Sequence, residues 1–133
     1  MNSSKLDRNK DTGSLIQKYT KSFKHSIDGI VYAIENEINI LFMMLGTILV
    51  LLLSYFLKIS AIELCFVVIS TGVLMACELL NSAIEATVDL ITLETHPLAK
   101  ISKDCGSGAT CIVLFAYFFV LGIIFVPKII ELF

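Results

Sequence analysis

Tryptophan is absent from this 133-residue chain, so any aromatic belt at a membrane–water boundary has to come from Tyr and Phe. Paired metal-binding cysteines are missing too. Cys65, Cys77, Cys105 and Cys111 show neither CxxC spacing nor a neighbouring second His, which argues against zinc. They read as small apolar helix residues. Residues 1–14 hold no apolar stretch followed by a small-residue cleavage site, so an ordinary signal peptide is not expected. There is no GxxxxGK[ST] loop, and Gly106–Gly108 lacks the third glycine and the preceding strand of a dinucleotide fingerprint. Those small residues read instead as positions where helices pack. A net charge of −2, with no long basic stretch interleaved with aromatics, argues against a nucleic-acid partner. No internal repeat is visible.

What the chain has in abundance is apolar sequence. Hydrophobic residues make up 56% and the mean hydropathy is +0.85. Charges are confined to the first 37 residues, one short later segment and a few isolated positions. One domain of residues 14–133 is expected, preceded by a solvated, disordered tail over 1–13. From Ser14 to about Glu35, Leu15, Ile16, Tyr19, Phe23, Ile27, Ile30 and Ile34 recur at helical spacing, with Lys18, Lys21 and Lys24 on other positions. That pattern suits a helix lying on a membrane surface, its lysines reaching toward headgroups.

Residues 38–57 carry no charge, and about twenty apolar residues cross a hydrocarbon core of roughly 30 Å. The uncharged run 64–77 is too short to span alone, so its helix must continue through 78–91 with its polar side chains turned away from lipid. A third uncharged run covers 109–126, and Pro127 is expected to end it. The fold predicted is therefore all-α: a surface helix over 14–35 and three membrane spans over about 36–57, 61–91 and 97–127. Six basic residues fall in the N-terminal segment (Lys5, Arg8, Lys10, Lys18, Lys21, Lys24), and Lys100 and Lys103 in the second connection. Only Lys58 and Lys128 fall on the other side. This asymmetry predicts a cytoplasmic N-terminus and second connection.

The second span carries the chemistry. Glu78, Asn81, Glu85 and Asp89 are spaced by three, four and four, which puts them within an arc of roughly 80° on one helix face. Burying a carboxylate at membrane depth is costly, so such acids face protein or water and have a function. Clustered carboxylates bind hard cations such as magnesium, which keeps room for phosphate oxygens. His96, Lys100 and Lys103 follow in the next connection and supply charge suited to phosphate. Glu78 lies deepest, roughly 10 Å below Glu85 along the axis, a depth that suits a general base. Glu35 and Glu37 sit where the surface helix meets the first span. Taken alone, the stripe is also compatible with a cation pathway or a polar seam that assembles a larger complex.

The segments ELLNSAIEATVDLI (78–91) and HPLAKISKD (96–104) resemble the prokaryotic diacylglycerol kinase family of small membrane kinases. The resemblance runs from about Phe23 into the third span. It implies a homotrimer of three-span subunits, with Mg²⁺ and ATP, transferring the γ-phosphate to a membrane lipid alcohol. By that resemblance Glu78 is the general base, and Glu37 and Glu85 are the metal-binding acids. Lys18, His25, Glu94, Thr95, His96, Lys103 and Asp104 join Glu37 and Glu85 at the nucleotide, while Asn81, Asp89 and Ser107 support the site. His25 departs from the aromatic residue expected at its position. Pro97 is expected in the first turn of the last helix, a structural role. The HPLAK wording and the GSGA after Lys103–Asp104 resemble the Gram-positive branch that phosphorylates undecaprenol, with diacylglycerol the alternative substrate.

Overall fold

A computed structural model describes the backbone of residues 3–132 and the side chains of residues 15–132. It is all-helical: α1 Ser3–Asn36, α2 Ile38–Phe56, α3 Ala61–Ile91 and α4 Pro97–Ile130. The chain divides into two units, Met1–Asn36 and Glu37–Phe133. Of the segment expected to be a solvated tail, residues 1 and 2 lie outside the described residues, and 3–13 have helical backbone continuous with α1. No proline interrupts that stretch, so nothing sterically prevents the helix from running on. Along α1 the apolar residues Leu15, Ile16, Tyr19, Phe23, Ile27 and Ile30 are exposed.

Among the described residues, three helices of the second unit are long and apolar enough to cross a membrane. At about 1.5 Å per residue, α2 reaches roughly 28 Å, close to the thickness of a hydrocarbon core, whereas α3 and α4 reach roughly 46 and 51 Å. The excess is polar and lies at one end, because α3 is apolar in its first half and α4 in its second. The two therefore leave the lipid together as a helical hairpin.

A heptad-like seam holds that hairpin. The buried residues of α3 are Val67, Thr71, Leu74, Glu78 and Asn81, alternately four and three apart, the spacing that keeps one stripe against an antiparallel neighbour. Ion pairs close both ends: Lys103 Nζ to Asp89 Oδ1 at 2.6 Å, and Lys128 Nζ to Glu63 Oε2 at 3.7 Å. Between them the seam changes character. Toward the α2–α3 turn, Val67, Ile124 and Phe125 form an apolar core backed by Val50, Leu53, Val120 and Leu121. Toward the other end, the side chains on the same stripe are an amide and carboxylates.

The helix ends have local causes. Ser60 caps α3: its Oγ accepts from the Glu63 N–H at 3.3 Å, and Glu63 Oε2 accepts from the Ser60 N–H at 2.6 Å, a reciprocal box that satisfies two otherwise orphaned donors. The turn before it is tight enough to put Lys58 at φ 50°, the left-handed region. At α4, His96 is the N-cap and Pro97 occupies the first turn, as expected. Pro127 does not end α4, contrary to expectation. The helix runs to Ile130, and Glu131 N–H still donates to Pro127 C=O at 3.0 Å. The proline removes its own N–H from the ladder and crowds the carbonyl four residues before it, but its own carbonyl remains an acceptor for the next turn.

Candidate active site

Glu78 sits about 26 Å along α3 from Ala61, close to the span of a hydrocarbon layer roughly 30 Å thick, and is only 4% exposed. Its Oε1 accepts a hydrogen bond from Asn39 Nδ2 at 2.9 Å. Asn39 is the second residue of α2, so the start of one span braces the carboxylate of another. One turn on, Asn81 is buried and donates from Nδ2 to Glu85 Oε1 at 3.0 Å. Glu85 is half-buried, and Asp89 is exposed and held by Lys103. The stripe thus grades from a buried carboxylate to one in water, and its two deepest members face protein rather than lipid.

Beside the exposed end lies an open pocket of about 470 Å³ between the last turn of α3 and the first turns of α4. Asp89, Glu94, Thr95, His96 and Lys103 of the expected residues line it, together with Lys100. His96 Nδ1 accepts from the Leu98 N–H at 3.2 Å, which leaves its Nε2 edge for other partners. Lys103 is committed to Asp89, whereas Lys100 makes no ion pair among the described residues. Its ammonium is the uncommitted positive charge of the pocket.

Within the second unit, other expected residues stand apart from this pocket. Asp104 and Ser107 are exposed on α4 and do not line it. Glu37 is the N-cap residue of α2 and makes no side-chain capping bond, and its carboxylate has no ion pair among the described residues. Lys18 and His25 are exposed on α1, with His25 Nδ1 3.9 Å from Asp28 Oδ2. Among the described residues no group of three or more His, Cys, Asp or Glu side chains gathers as a metal cage. Two contributors escaped the sequence reading. Asn39 was visible only as a lone amide in an apolar run, and Gly106 as one of several small residues.

A braced carboxylate at the lipid edge, one hairpin with a water-facing pocket lined by lysines, suits a membrane enzyme that joins an apolar alcohol to a charged, soluble reactant. Comparison with known proteins defines that class further. The chain belongs to the prokaryotic diacylglycerol kinase family, whose model matches residues 24–125. It is 37% identical to the undecaprenol kinase of Bacillus subtilis (strain 168) over 90% of this chain and 97% of that one. It is 31% identical to a diacylglycerol kinase of Synechocystis sp. over 84% of this chain and 64% of the relative. With a diacylglycerol kinase of Pseudomonas aeruginosa it shares 36% identity over 68% of this chain and 73% of the other. The protein is an ATP-dependent lipid kinase of the membrane.

Proposed function

We propose that this chain phosphorylates undecaprenol at the cytoplasmic face of the membrane, using Mg–ATP and working as a homotrimer. The observation that carries the reading is Glu78, a carboxylate buried at the lipid edge and held by Asn39. A prenol hydroxyl reaches that depth from the bilayer, and Glu78 takes its proton as the oxygen attacks the γ-phosphorus of ATP, the bond to the β–γ bridging oxygen breaks and ADP leaves. Water is scarce there, which favours the lipid alcohol over hydrolysis. The pocket beside Asp89 receives the nucleotide. Lys103 and Lys100 offset charge on its phosphates, and the His96 Nε2 edge, Glu94 and Thr95 make polar contacts. Lys18, His25, Asp104 and Ser107 complete the nucleotide and supporting set in this reading, with Asn81 holding Glu85.

Magnesium fits the donor set: the acids present oxygen only, and this ion takes one or two carboxylates plus phosphate oxygens rather than an all-protein cage. Glu37, unspent at its helix cap, and Glu85, with one oxygen on Asn81, are the residues that would hold it. When bound, the ion neutralises charge on the β- and γ-phosphates. The lysine-rich N-terminal segment and second connection support the cytoplasmic orientation.

Undecaprenol is preferred over diacylglycerol on two grounds: the near full-length match to the Bacillus subtilis enzyme, and the HPLAK and GSGA segments. The test is incorporation of labelled phosphate from Mg–ATP into undecaprenol and into diacylglycerol, each offered alone to purified protein in the same detergent. Faster labelling of undecaprenol is expected. Preference for diacylglycerol overturns the substrate assignment, and labelling of neither overturns the enzyme reading.

A further inference from the structure

The Asn81 carboxamide poses a question that the proposed chemistry does not answer. Its residue is 8% exposed, its Nδ2 donates to Glu85 Oε1 at 3.0 Å, and its Oδ1 is buried without any partner among the described residues. A buried amide oxygen normally finds a donor. This one is packed against Gly106 of α4, itself buried: a Cβ added there would stand 2.5 Å from Asn81 Oδ1 and 3.5 Å from Asn81 Cγ. The glycine leaves just enough space for the oxygen and offers no hydrogen-bonding group in return. Turning the amide over would set its oxygen against the Glu85 carboxylate, two acceptors facing each other, and would point the NH₂ at a Cα. One orientation remains, with the NH₂ on Glu85.

We infer that Gly106 is a positioning residue for the kinase: by leaving room for the Asn81 carbonyl oxygen it commits the Asn81 NH₂ to Glu85 and so fixes the Glu85 carboxylate. Its missing side chain acts on the site through two others, across the α3–α4 seam. The neighbouring Gly108 has nothing within 4 Å of an added Cβ, so the constraint belongs to Gly106 and not to the Gly-Ser-Gly segment as a whole. Gly106→Ala pushes the amide oxygen out of its niche, and the bond to Glu85 is lost with it. The inference rests on the reading of Glu85 as a metal-binding acid, and the experiment separates the two.

The probe is Mn²⁺ alone, its binding to detergent-purified protein followed by electron paramagnetic resonance, with oligomer size and thermal unfolding recorded on the same samples. Gly106→Ala should weaken Mn²⁺ binding roughly tenfold or more, the weight of one charge-assisted hydrogen bond, and to the same extent as Asn81→Ala. Gly108→Ala should leave it unchanged. Because Asn81→Ala vacates the space that a Cβ at 106 needs, the Asn81→Ala/Gly106→Ala double variant folds even where Gly106→Ala does not. Its Mn²⁺ affinity should equal that of Asn81→Ala alone, the non-additivity expected when one residue acts through another. Folded Gly106→Ala with wild-type Mn²⁺ affinity, or a double variant weaker than Asn81→Ala, overturns the inference. Glu85→Gln with undiminished Mn²⁺ binding overturns instead the metal role of Glu85, whatever Gly106 does to the amide.

Discussion

Replacing Lys103 with methionine separates catalysis from stability at the hairpin tip. Methionine keeps most of the apolar stem and removes the ammonium. In the structure that ammonium lies 2.6 Å from Asp89 Oδ1, with side-chain exposures of 37% and 48% for the lysine and the aspartate. Exposed pairs of this kind contribute about 0.2–1 kcal/mol to folding, so Lys103→Met should lower the unfolding free energy by no more than about 1 kcal/mol. A charged donor aimed at a transferring phosphoryl group is worth far more, about 2.7–4 kcal/mol or roughly 10²–10³ in kcat. Initial rates of label transfer from ATP to undecaprenol at saturating substrates, beside thermal unfolding of the same preparations, measure both quantities. Asp89→Asn is the control, since it removes the same ion pair and keeps the cation. It should show the same small stability loss and a fall in kcat of less than about tenfold, the rate equivalent of roughly 1.4 kcal/mol. Lys103→Met retaining a tenth or more of wild-type kcat refutes the phosphate role. So does Asp89→Asn losing as much activity as Lys103→Met, because Lys103 would then matter only as half of a pair.

Two further substitutions probe the middle and the start of α3. Asn39→Ala deprives the buried Glu78 carboxylate of the donor to its Oε1, and losing a hydrogen bond to a charged group costs about 1.5–3 kcal/mol. Denaturant unfolding in detergent should record that loss, and unchanged stability would show that the bond carries no weight. Ser60→Ala removes the capping box at the start of the same helix, lowering stability by about 1 kcal/mol. Its kcat should stay at the wild-type value, because the cap is about 26 Å from Glu78; a folded variant with impaired kcat contradicts that separation.

Much of this architecture was legible before any coordinates. Charge-free runs gave the spans, and one of them, 64–77, was too short, which forced α3 to continue through Glu78, Glu85 and Asp89. The same argument required the acid stripe to avoid lipid and face protein or water, as Glu78 against protein and Asp89 in water do. What stayed hidden depends on which helix meets which. Periodicity shows that Glu78 has an inward face, but Asn39 lies 39 positions away on another helix, and nothing in either segment names the other. Gly106 is likewise indistinguishable from Gly108 by composition, and only the register of α3 against α4 sets one of them on Asn81. Pro127 misled for a local reason: a proline tolerated within a final helical turn looks the same in sequence as one that ends the helix. The Ser60–Glu63 box was readable from its spacing alone and passed unnoticed, because Glu63 resembles a stray acid at the edge of an apolar run.

The role of the buried carboxylate is tested most directly by single-turnover transfer of labelled γ-phosphate to undecaprenol in wild-type protein and in Glu78→Gln, with ATP binding measured in both. Glutamine keeps the size of the side chain and a carbonyl for Asn39 but cannot take a proton from the prenol. Label should enter the lipid in wild-type protein and be absent from Glu78→Gln at matched nucleotide occupancy. Transfer by Glu78→Gln at a wild-type rate would mean that the lipid hydroxyl loses its proton elsewhere, and that Glu78 is only part of the packing between α2 and α3.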